Sequence, residues 1–327
     1  MKAATLLALA ATGAALALPG AFSGANFNSV STNPGTSVGT APDYAAPDVV
    51  RAVVAKSQGG TAGFVKQGGT YYVYAEVTDS GNPPSGTTTV TGNVGAITGG
   101  QTAVALAAGS FTVNGATYNR RSALLTASNP LAAGAVSFFL TTADAAANSR
   151  TDATGRSLTV DNTAPVAADV QAANRAGGTA FRPETGDIAT LTYSEPVEPA
   201  SILAGWTGGA QNVVVRINNN DAATGGNDSL RVYDSTNSVQ LALGVVNLGR
   251  TDYVGGNITY GVTGTKSTMT MTGNAVGLVL GTQSGNGTTA AANGTLTWTP
   301  SATAYDRAAN AAATTARAEL GTADRDF

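Results

Sequence analysis

Short runs of β-prone residues, separated by clusters of glycine, proline, asparagine and serine, recur along the chain from Val49 onward. In the run Tyr71–Val77, apolar residues alternate with Tyr72, Tyr74 and Glu76. A period of two is typical of a strand with one buried face. In the first half of the chain the pattern predicts strands over Val49–Ala55, Thr70–Thr78, Thr87–Val94, Phe111–Tyr118, Ser122–Thr126, Ala135–Ala143 and Ser157–Val160.

The second half of the chain shows the same kind of pattern. Helical propensity is confined to Ala308–Leu320 and to one short turn over Pro199–Ala204. The Asn114-Gly115 pair favours a two-residue hairpin turn, which predicts antiparallel pairing of its flanks. Seven short runs at this spacing indicate a sandwich in the first half. Further strands are predicted over Asp187–Tyr193, Asn212–Asn218, Ser229–Tyr233, Val239–Leu248, Asn257–Val262, Ser267–Thr272, Ala275–Gly281 and Gly294–Thr299.

The first residues of the chain have the pattern of an export signal. Lys2 precedes an apolar stretch, Ala3–Leu18, and small residues follow Pro19. The stretch holds about sixteen residues, short for a membrane span of about twenty, which favours cleavage over a retained anchor. We therefore expect residues 1–24 to be a signal peptide, residues 25–46 to be a flexible leader rich in polar residues, and the mature chain to be secreted or at the cell surface.

Composition excludes several classes of function. The chain has no histidine and no cysteine, so the usual general base, thiolate nucleophiles and the commonest transition-metal ligands are missing. Its 17 basic and 20 acidic residues give a net charge of −3, and the basic residues are scattered. Nucleic acid calls for clustered Lys and Arg, so we expect neither nucleic acid nor, beyond the export signal, a membrane as a partner.

One turn pattern occurs twice. Asp144 and Asn148 follow one predicted strand, and Asp306 and Asn310 follow another near the other end of the chain, in each case with the spacing Asp-x-x-x-Asn. Asp and Asn side chains bond nearby backbone amides in such turns. Between the two turns lies Asp161–Pro165, where proline ends strand pairing and indicates a linker. The pattern predicts two domains, 47–163 and 164–327.

At these residues the chain resembles bacterial immunoglobulin-like domains of surface or secreted proteins. The Asp-x-x-x-Asn turn followed by Asp161–Pro165 is similar to the end of one such domain and the start of the next, although Ala147 and Ala309 stand where the family pattern has glycine. Leu191–Ile202 is similar to the opening of a related type, and Phe27–Thr36 resembles exported actinobacterial proteins with SipW-type signal peptides. The resemblance implies a spacer or adhesive module without catalysis.

Calcium is the cofactor that the sequence leaves open, because it needs only oxygen ligands on loops. Asp161 and Asn162 at the linker could share an ion with Asp79, or with Asp144 and Asn148, and stiffen the joint. The alternative is that these side chains only form Asx turns.

Aromatic residues supply a candidate ligand surface. Tyr72 and Tyr74 on one face of a strand, with Trp206 in a glycine-flanked loop, could stack on sugar rings or contact a protein. The alternative places Tyr72 and Tyr74 on an ordinary outer face and Trp206 in the core or as a lid at the end of the sandwich.

These observations together predict an all-β protein of two tandem antiparallel β-sandwich (immunoglobulin-like) domains. We expect it to act as a non-catalytic structural or adhesive module whose partner is a cell-wall or matrix polymer, or further copies of itself. One alternative is a carbohydrate-binding accessory module. The other is a polysaccharide-active enzyme that uses a carboxylate pair such as Glu195 and Glu198.

Overall fold

The computed structural model describes residues 43–152 and 155–321. The fold is nearly all β, with 43% of residues in strands and 4% in helices, arranged in two large antiparallel sheets. This confirms the predicted all-β fold of two antiparallel β-sandwich domains. The predicted signal peptide, 1–24, and residues 25–42 of the predicted leader lie outside the described residues.

The first sheet contains ten strands in the order β1-β3-β6-β5-β4-β8-β10-β2, with β7 paired to β3 and β9 paired to β8. The short strand β2 runs parallel to β10, with Thr159 opposite Phe64. The strands are β1 Asp48–Lys56, β2 Phe64–Val65, β3 Thr70–Thr78, β4 Thr87–Asn93, β5 Val104–Val113, β6 Ala116–Ser122, β7 Leu125–Thr126, β8 Gly134–Asp144, β9 Ser149–Thr151 and β10 Arg156–Val160.

The second sheet also contains ten strands, in the order β11-β12-β18-β17-β13-β14-β15-β19-β20, with β16 paired to β13. Strand β13 pairs with β17 over its first residues and with β14 and β16 over its later residues. The strands are β11 Ala167–Ala173, β12 Ile188–Tyr193, β13 Gln211–Asn218, β14 Ser229–Tyr233, β15 Val245–Asn247, β16 Ile258–Tyr260, β17 Ser267–Thr272, β18 Ala275–Val279, β19 Thr297–Thr299 and β20 Arg317–Ala318.

The described residues group into two compact units. The first unit comprises the described residues up to Val53 with Tyr72–Leu125 and Ser137–Ser157, and the second comprises Val54–Tyr71, Thr126–Val136 and the residues from Leu158 onward. The domain ranges 47–163 and 164–327 stay predictions. The strands of the first sheet nevertheless all precede residue 163, and those of the second all follow it.

The alternation of side chains along strand β3 buries one face of the strand, as predicted. Tyr71, Val73, Ala75 and Val77 are buried, with at most 3% of each residue exposed. The predicted hairpin also forms, because Asn114 and Gly115 have φ angles of 48° and 77° and connect β5 to β6. Both backbone conformations belong to the left-handed region that a tight two-residue turn requires.

The core of the second unit is built around one large aromatic pair. The rings of Tyr193 and Trp298 meet edge to face, with centroids 4.7 Å apart, and both residues are fully buried. The indole Nε1 of Trp298 donates to the carbonyl of Leu243 at 2.7 Å, which satisfies its buried donor. Strands β12 and β19 are thereby held on one apolar core.

Ala308–Leu320 does not form a helix, despite its helical propensity. Ala309 takes a left-handed φ of 71° within the Asp306 turn, Ala312 is buried, and Arg317–Ala318 forms strand β20 against β19. Tertiary pairing thus overrides the helical propensity of the alanines. The predicted short turn does form, since Pro199–Ile202 is a one-turn helix. The other helical segments of residues 43–152 and 155–321 are Gly95–Thr98 and the 3₁₀ turn Ala222–Thr224. Within the described ranges, every helix is too short to cross a membrane.

Candidate functional site

The Asp144 turn fixes a carboxylate at the end of strand β8. The Asn148 amide donates to Asp144 Oδ1 at 2.8 Å, and the Asn148 side chain donates to Asp144 Oδ2 at 2.8 Å and to the carbonyl of Asp43 at 3.0 Å. Ala147 has a left-handed φ of 69°, which closes the turn. The turn therefore also holds the segment that contains Asp43.

This turn is one part of a three-carboxylate group in the first unit. Asp43, Asp79 and Asp144 each place a carboxylate oxygen within 4.8 Å of the others. Asp79 directly follows strand β3 and accepts the amide of Gly81 at 3.0 Å and that of Gly86. We call Asp43, Asp79 and Asp144 the first carboxylate group.

The Asp306 turn repeats the same construction in the second unit. The Asn310 amide donates to Asp306 Oδ1 at 2.7 Å, and the Asn310 side chain donates to Asp306 Oδ2 at 2.7 Å and to the carbonyl of Asp161 at 2.9 Å. Ala309 takes the left-handed conformation that Ala147 takes in the first turn. Each of these three hydrogen bonds has a counterpart in the first turn.

A second three-carboxylate group lies at this second turn. Asp161, Glu195 and Asp306 place carboxylate oxygens within 4.8 Å of one another. Glu195 follows strand β12 as Asp79 follows β3. Asp306 is 1% exposed and accepts the amides of Asn310 and Ala308. We call Asp161, Glu195 and Asp306 the second carboxylate group.

The first member of each group is marked by a repeat that the sequence analysis missed. Asp43–Pro47 and Asp161–Pro165 share the spacing Asp-x-x-Ala-Pro. In both segments the first aspartate accepts the amide two residues later, from Ala45 at 2.9 Å and from Thr163 at 3.0 Å. Pairing this repeat with the repeated Asp-x-x-x-Asn turn would have identified Asp43 as a member of the first group.

The two carboxylate groups differ in the direction in which their surroundings shift carboxyl pKa values. Hydrogen bonds, first that from the Ala45 amide and then those from Ser85, lower the pKa of Asp43. In the second group, burial and then the charges of Asp161 and Asp306 raise the pKa of Glu195 to about 7. Burial likewise raises the pKa of Asp306. The surroundings therefore favour the ionised form of Asp43 in the first group and the neutral forms of Glu195 and Asp306 in the second.

The second carboxylate group could hold a calcium ion. Glu195 Oε1 is buried and has no hydrogen-bond partner among the described residues. Calcium binds carboxylate oxygens at about 2.4 Å, so its ligands lie within about 5 Å of each other, as these oxygens do. A divalent ion would also neutralise the repulsion that otherwise favours protonation of Glu195.

The predicted calcium ligands are divided between the two groups. Asp79 and Asp144 lie together, with Asn148 bonded to Asp144, whereas Asp161 lies with Glu195 and Asp306. The structure therefore does not bring Asp161 together with Asp79 or Asp144 on one ion.

Asn162, the remaining predicted calcium ligand, is engaged with backbone groups. Its Oδ1 accepts the amide of Gln67 at 2.8 Å, and its Nδ2 donates to the carbonyl of Leu131 at 2.7 Å. This side chain positions the segment that follows strand β10 and is not a member of either carboxylate group.

Tyr72 and Tyr74 belong to a larger aromatic cluster on the first unit. Their ring centroids lie 6.0 Å apart, and Tyr74 also contacts Phe111 at 6.0 Å and Tyr118 at 5.9 Å. Tyr72 is partly exposed, whereas Tyr74 is 9% exposed. The sequence pattern identified the two tyrosines of β3 but not the neighbours that the β5–β6 hairpin brings to them.

Trp206 is a core residue, as the alternative interpretation had it. It is 5% exposed, packs in the core of the second unit, and donates from its indole Nε1 to the carbonyl of Gly209 at 2.6 Å. The residue therefore offers no open ring face on which a sugar could stack.

Glu195 and Glu198 take separate partners, although they are close in sequence. Glu198 Oε2 accepts the amide of Thr61 at 2.7 Å and lies 3.4 Å from Lys56 Nζ. The Lys56 and Glu198 side chains are 3% and 6% exposed, respectively, so they form a buried ion pair. Glu198 therefore has a structural partner of its own, apart from the second carboxylate group.

Comparisons with known proteins add no relative to this description. Neither the protein-family models nor the curated proteins with which the chain was compared match it.

Proposed function

We propose that this chain is a structural or adhesive module, without catalysis, that works outside the cytoplasm as a secreted or cell-surface protein. The observation that supports this proposal best is the duplicated construction of carboxylate group and Asp-x-x-x-Asn turn, one copy in each unit. Repetition of one module is a common way to build extended structural proteins.

Each copy of the construction joins two segments of its unit that are far apart in sequence, and we call it a staple. Asn148 ties the entering segment at Asp43 to the turn after β8, and Asn310 ties Asp161 to the turn after β19. Segments far apart in sequence are thereby fixed at one point, which opposes separation of the segment from its sheet. Such a staple suits a protein that must keep its shape while attached to a polymer or a surface.

Calcium completes the second staple in this proposal. Asp161, Glu195 and Asp306 would supply three carboxylates, and waters or carbonyl oxygens would supply the remaining ligands of the six to eight that calcium takes. The unpartnered Oε1 of Glu195 supports the assignment to this group. In the first group Asp79, the counterpart of Glu195, accepts the amides of Gly81 and Gly86, so the need of that group for a cation is smaller.

The location of the mature chain in its native host tests this function. Cultures would be separated into medium, cell wall, membrane and cytoplasm, and each fraction probed with an antibody against residues 43–321. We expect the chain in the medium or the wall, with its amino terminus beyond the predicted signal at 1–24. Retention of the full-length chain in the cytoplasm would contradict the proposal.

An enzymatic assay tests the absence of catalysis. The purified chain would be incubated with a panel of polysaccharides, and new reducing ends would be measured. We expect none. Turnover that disappears in Glu195→Gln would overturn the proposal in favour of an enzyme that uses carboxylates.

A further inference from the structure

The Arg121 side chain packs against two aromatic rings of the first unit. Its guanidinium carbon lies 4.8 Å from the ring centroid of Tyr72 and 4.4 Å from that of Phe111. Both distances fall within the about 6 Å range of a cation–π contact, so two rings hold the guanidinium in place. We call Arg121, Tyr72, Phe111 and the adjoining Tyr74 the Arg121 platform.

The donors of Arg121 are not used by the protein. Neighbouring arginines are engaged, since Arg51 pairs with Glu76 at 2.7 Å and Arg120 donates to the carbonyls of Asn119 and Thr87. The side chain of Arg121 makes no hydrogen bond and no ion pair with any residue of the described ranges. A planar fork of five N–H groups thus remains for an external acceptor.

The Arg121 platform is positively charged, whereas the chain as a whole is acidic. Arg51 of β1 is paired with Glu76 of β3, whereas Arg121 of β6 has no acidic partner among the described residues. Arg120 lies opposite the buried Ala75, on the other face of the sheet from Arg121. The chain as a whole has a net charge of −3. A local excess of positive charge on an acidic protein favours an anionic partner at this face.

Small exposed residues lie beside Arg121. Ala107 lies directly opposite Arg121 in the β5–β6 ladder, and the Phe111 ring covers the neighbouring Gly109. A pyranose ring that rests on Phe111 and Ala107 could place a carboxylate on the guanidinium, where two parallel N–H···O bonds can form.

Strand pairing argues against an extended peptide as the occupant. Arg121 is paired on both sides, with Tyr74 of β3 and with Ala107 of β5. A peptide beside Arg121 would therefore find no free backbone groups with which to add a strand. A ligand here must bind through rings and side chains, which suits a sugar polymer.

We propose that the Arg121 platform binds a carboxylate-bearing polysaccharide, with Arg121 pairing its carboxylate and the aromatic rings of Tyr72 and Phe111 contacting its sugar rings. This inference rests on the proposed function only for the place of the chain outside the cytoplasm, where such polymers occur. It names the chemical class of the polymer partner.

Binding of the full chain to polygalacturonate tests the inference. Calorimetric titrations would compare polygalacturonate with neutral dextran and with poly-glutamate, for the wild type and for Arg121→Gln and Arg121→Lys. Arg317→Gln is the matched control, since Arg317 is an exposed arginine on strand β20 of the second unit. Circular dichroism and thermal midpoints would establish that each variant is folded.

We expect the wild type and Arg317→Gln to bind polygalacturonate alike and dextran not at all. Losing a bidentate charged contact should weaken binding about tenfold or more in both Arg121 variants, because lysine keeps the charge but not the planar fork. Three results would overturn the inference: no binding by the wild type, equal binding by Arg121→Gln, or equally tight binding of poly-glutamate. A chain that reaches the wall yet fails this test would leave the proposed function intact.

Discussion

Replacing Lys56 by methionine removes the cation from a buried network in the second unit. Lys56 Nζ donates to the carbonyl of Arg307 at 2.7 Å and to that of Thr61 at 3.0 Å, and lies 3.4 Å from Glu198 Oε2. Burial lowers the pKa of Lys56, and the charge of Glu198 opposes that effect. Once the ammonium is gone, the buried carboxylate of Glu198 keeps the Thr61 amide at 2.7 Å as a donor but has lost its cation.

The expected loss is about 3–5 kcal/mol of unfolding free energy, the range seen when one partner of a buried ion pair is removed. The double variant Lys56→Met/Glu198→Gln leaves no unpaired charge. It should therefore lose less than the sum of the two single variants, by about 2 kcal/mol.

Urea unfolding followed by tryptophan fluorescence measures this loss in the second unit, which contains Lys56 and Glu198. The chain has two tryptophans, Trp206 and Trp298, and both are buried in the second unit. Arg175→Met is the matched control, because Arg175 is 48% exposed and lies 4.0 Å from Glu184 in the same unit. A long ion pair with one exposed partner should contribute less than about 1 kcal/mol. A loss below about 1 kcal/mol for Lys56→Met, or strictly additive single variants, would refute the reasoning.

Three further predictions concern the turns, the core and the carboxylates. Ala309→Gly should stabilise the second unit by about 0.5–1 kcal/mol in urea unfolding. Glycine removes the strain of the left-handed φ, and this gain exceeds the cost of the greater entropy that glycine has in the unfolded chain. A destabilised variant would contradict the left-handed turn. Trp206→Ala should cost about 3–5 kcal/mol in thermal unfolding and leave polysaccharide binding of the still folded protein unchanged, and reduced binding would speak against a core role. The pKa of Glu195 is raised from 4.5 to about 7. In the presence of a chelator, the thermal midpoint of the wild type should therefore fall as the pH rises from about 5 to 8, and that of Glu195→Gln should fall less. Equal pH profiles of the two midpoints would disprove the shift.

Local pattern predicted the parts of the fold that depend on neighbouring residues. The alternation in Tyr71–Val77 and the Asn114-Gly115 turn each encode their geometry within a few residues. Strands of two or three residues, such as β2 and β20, carry no detectable period and form only because a partner strand is present. Ala308–Leu320 failed as a helix for the same reason, since its pairing partners are distant in sequence.

The candidate sites divide in the same way. The Asp144–Asn148 turn was visible because both residues lie in one pentapeptide, whereas Glu195 joins Asp161 and Asp306 from positions tens of residues away. The sequence did not single out Arg121, because nothing in its neighbours indicates the rings of the strands beside it. Sequence spacing could place such residues on strands but could not show which strands become neighbours.

Calcium titration of the full chain tests the central claim, that the second carboxylate group is a cation site that completes a structural staple. The account predicts heat of binding and a rise in the tryptophan-monitored unfolding midpoint with calcium, both lost in Glu195→Gln and retained in the control Asp79→Asn of the first group. An unchanged midpoint and no heat at millimolar calcium, or the same response in Glu195→Gln as in the wild type, would contradict it.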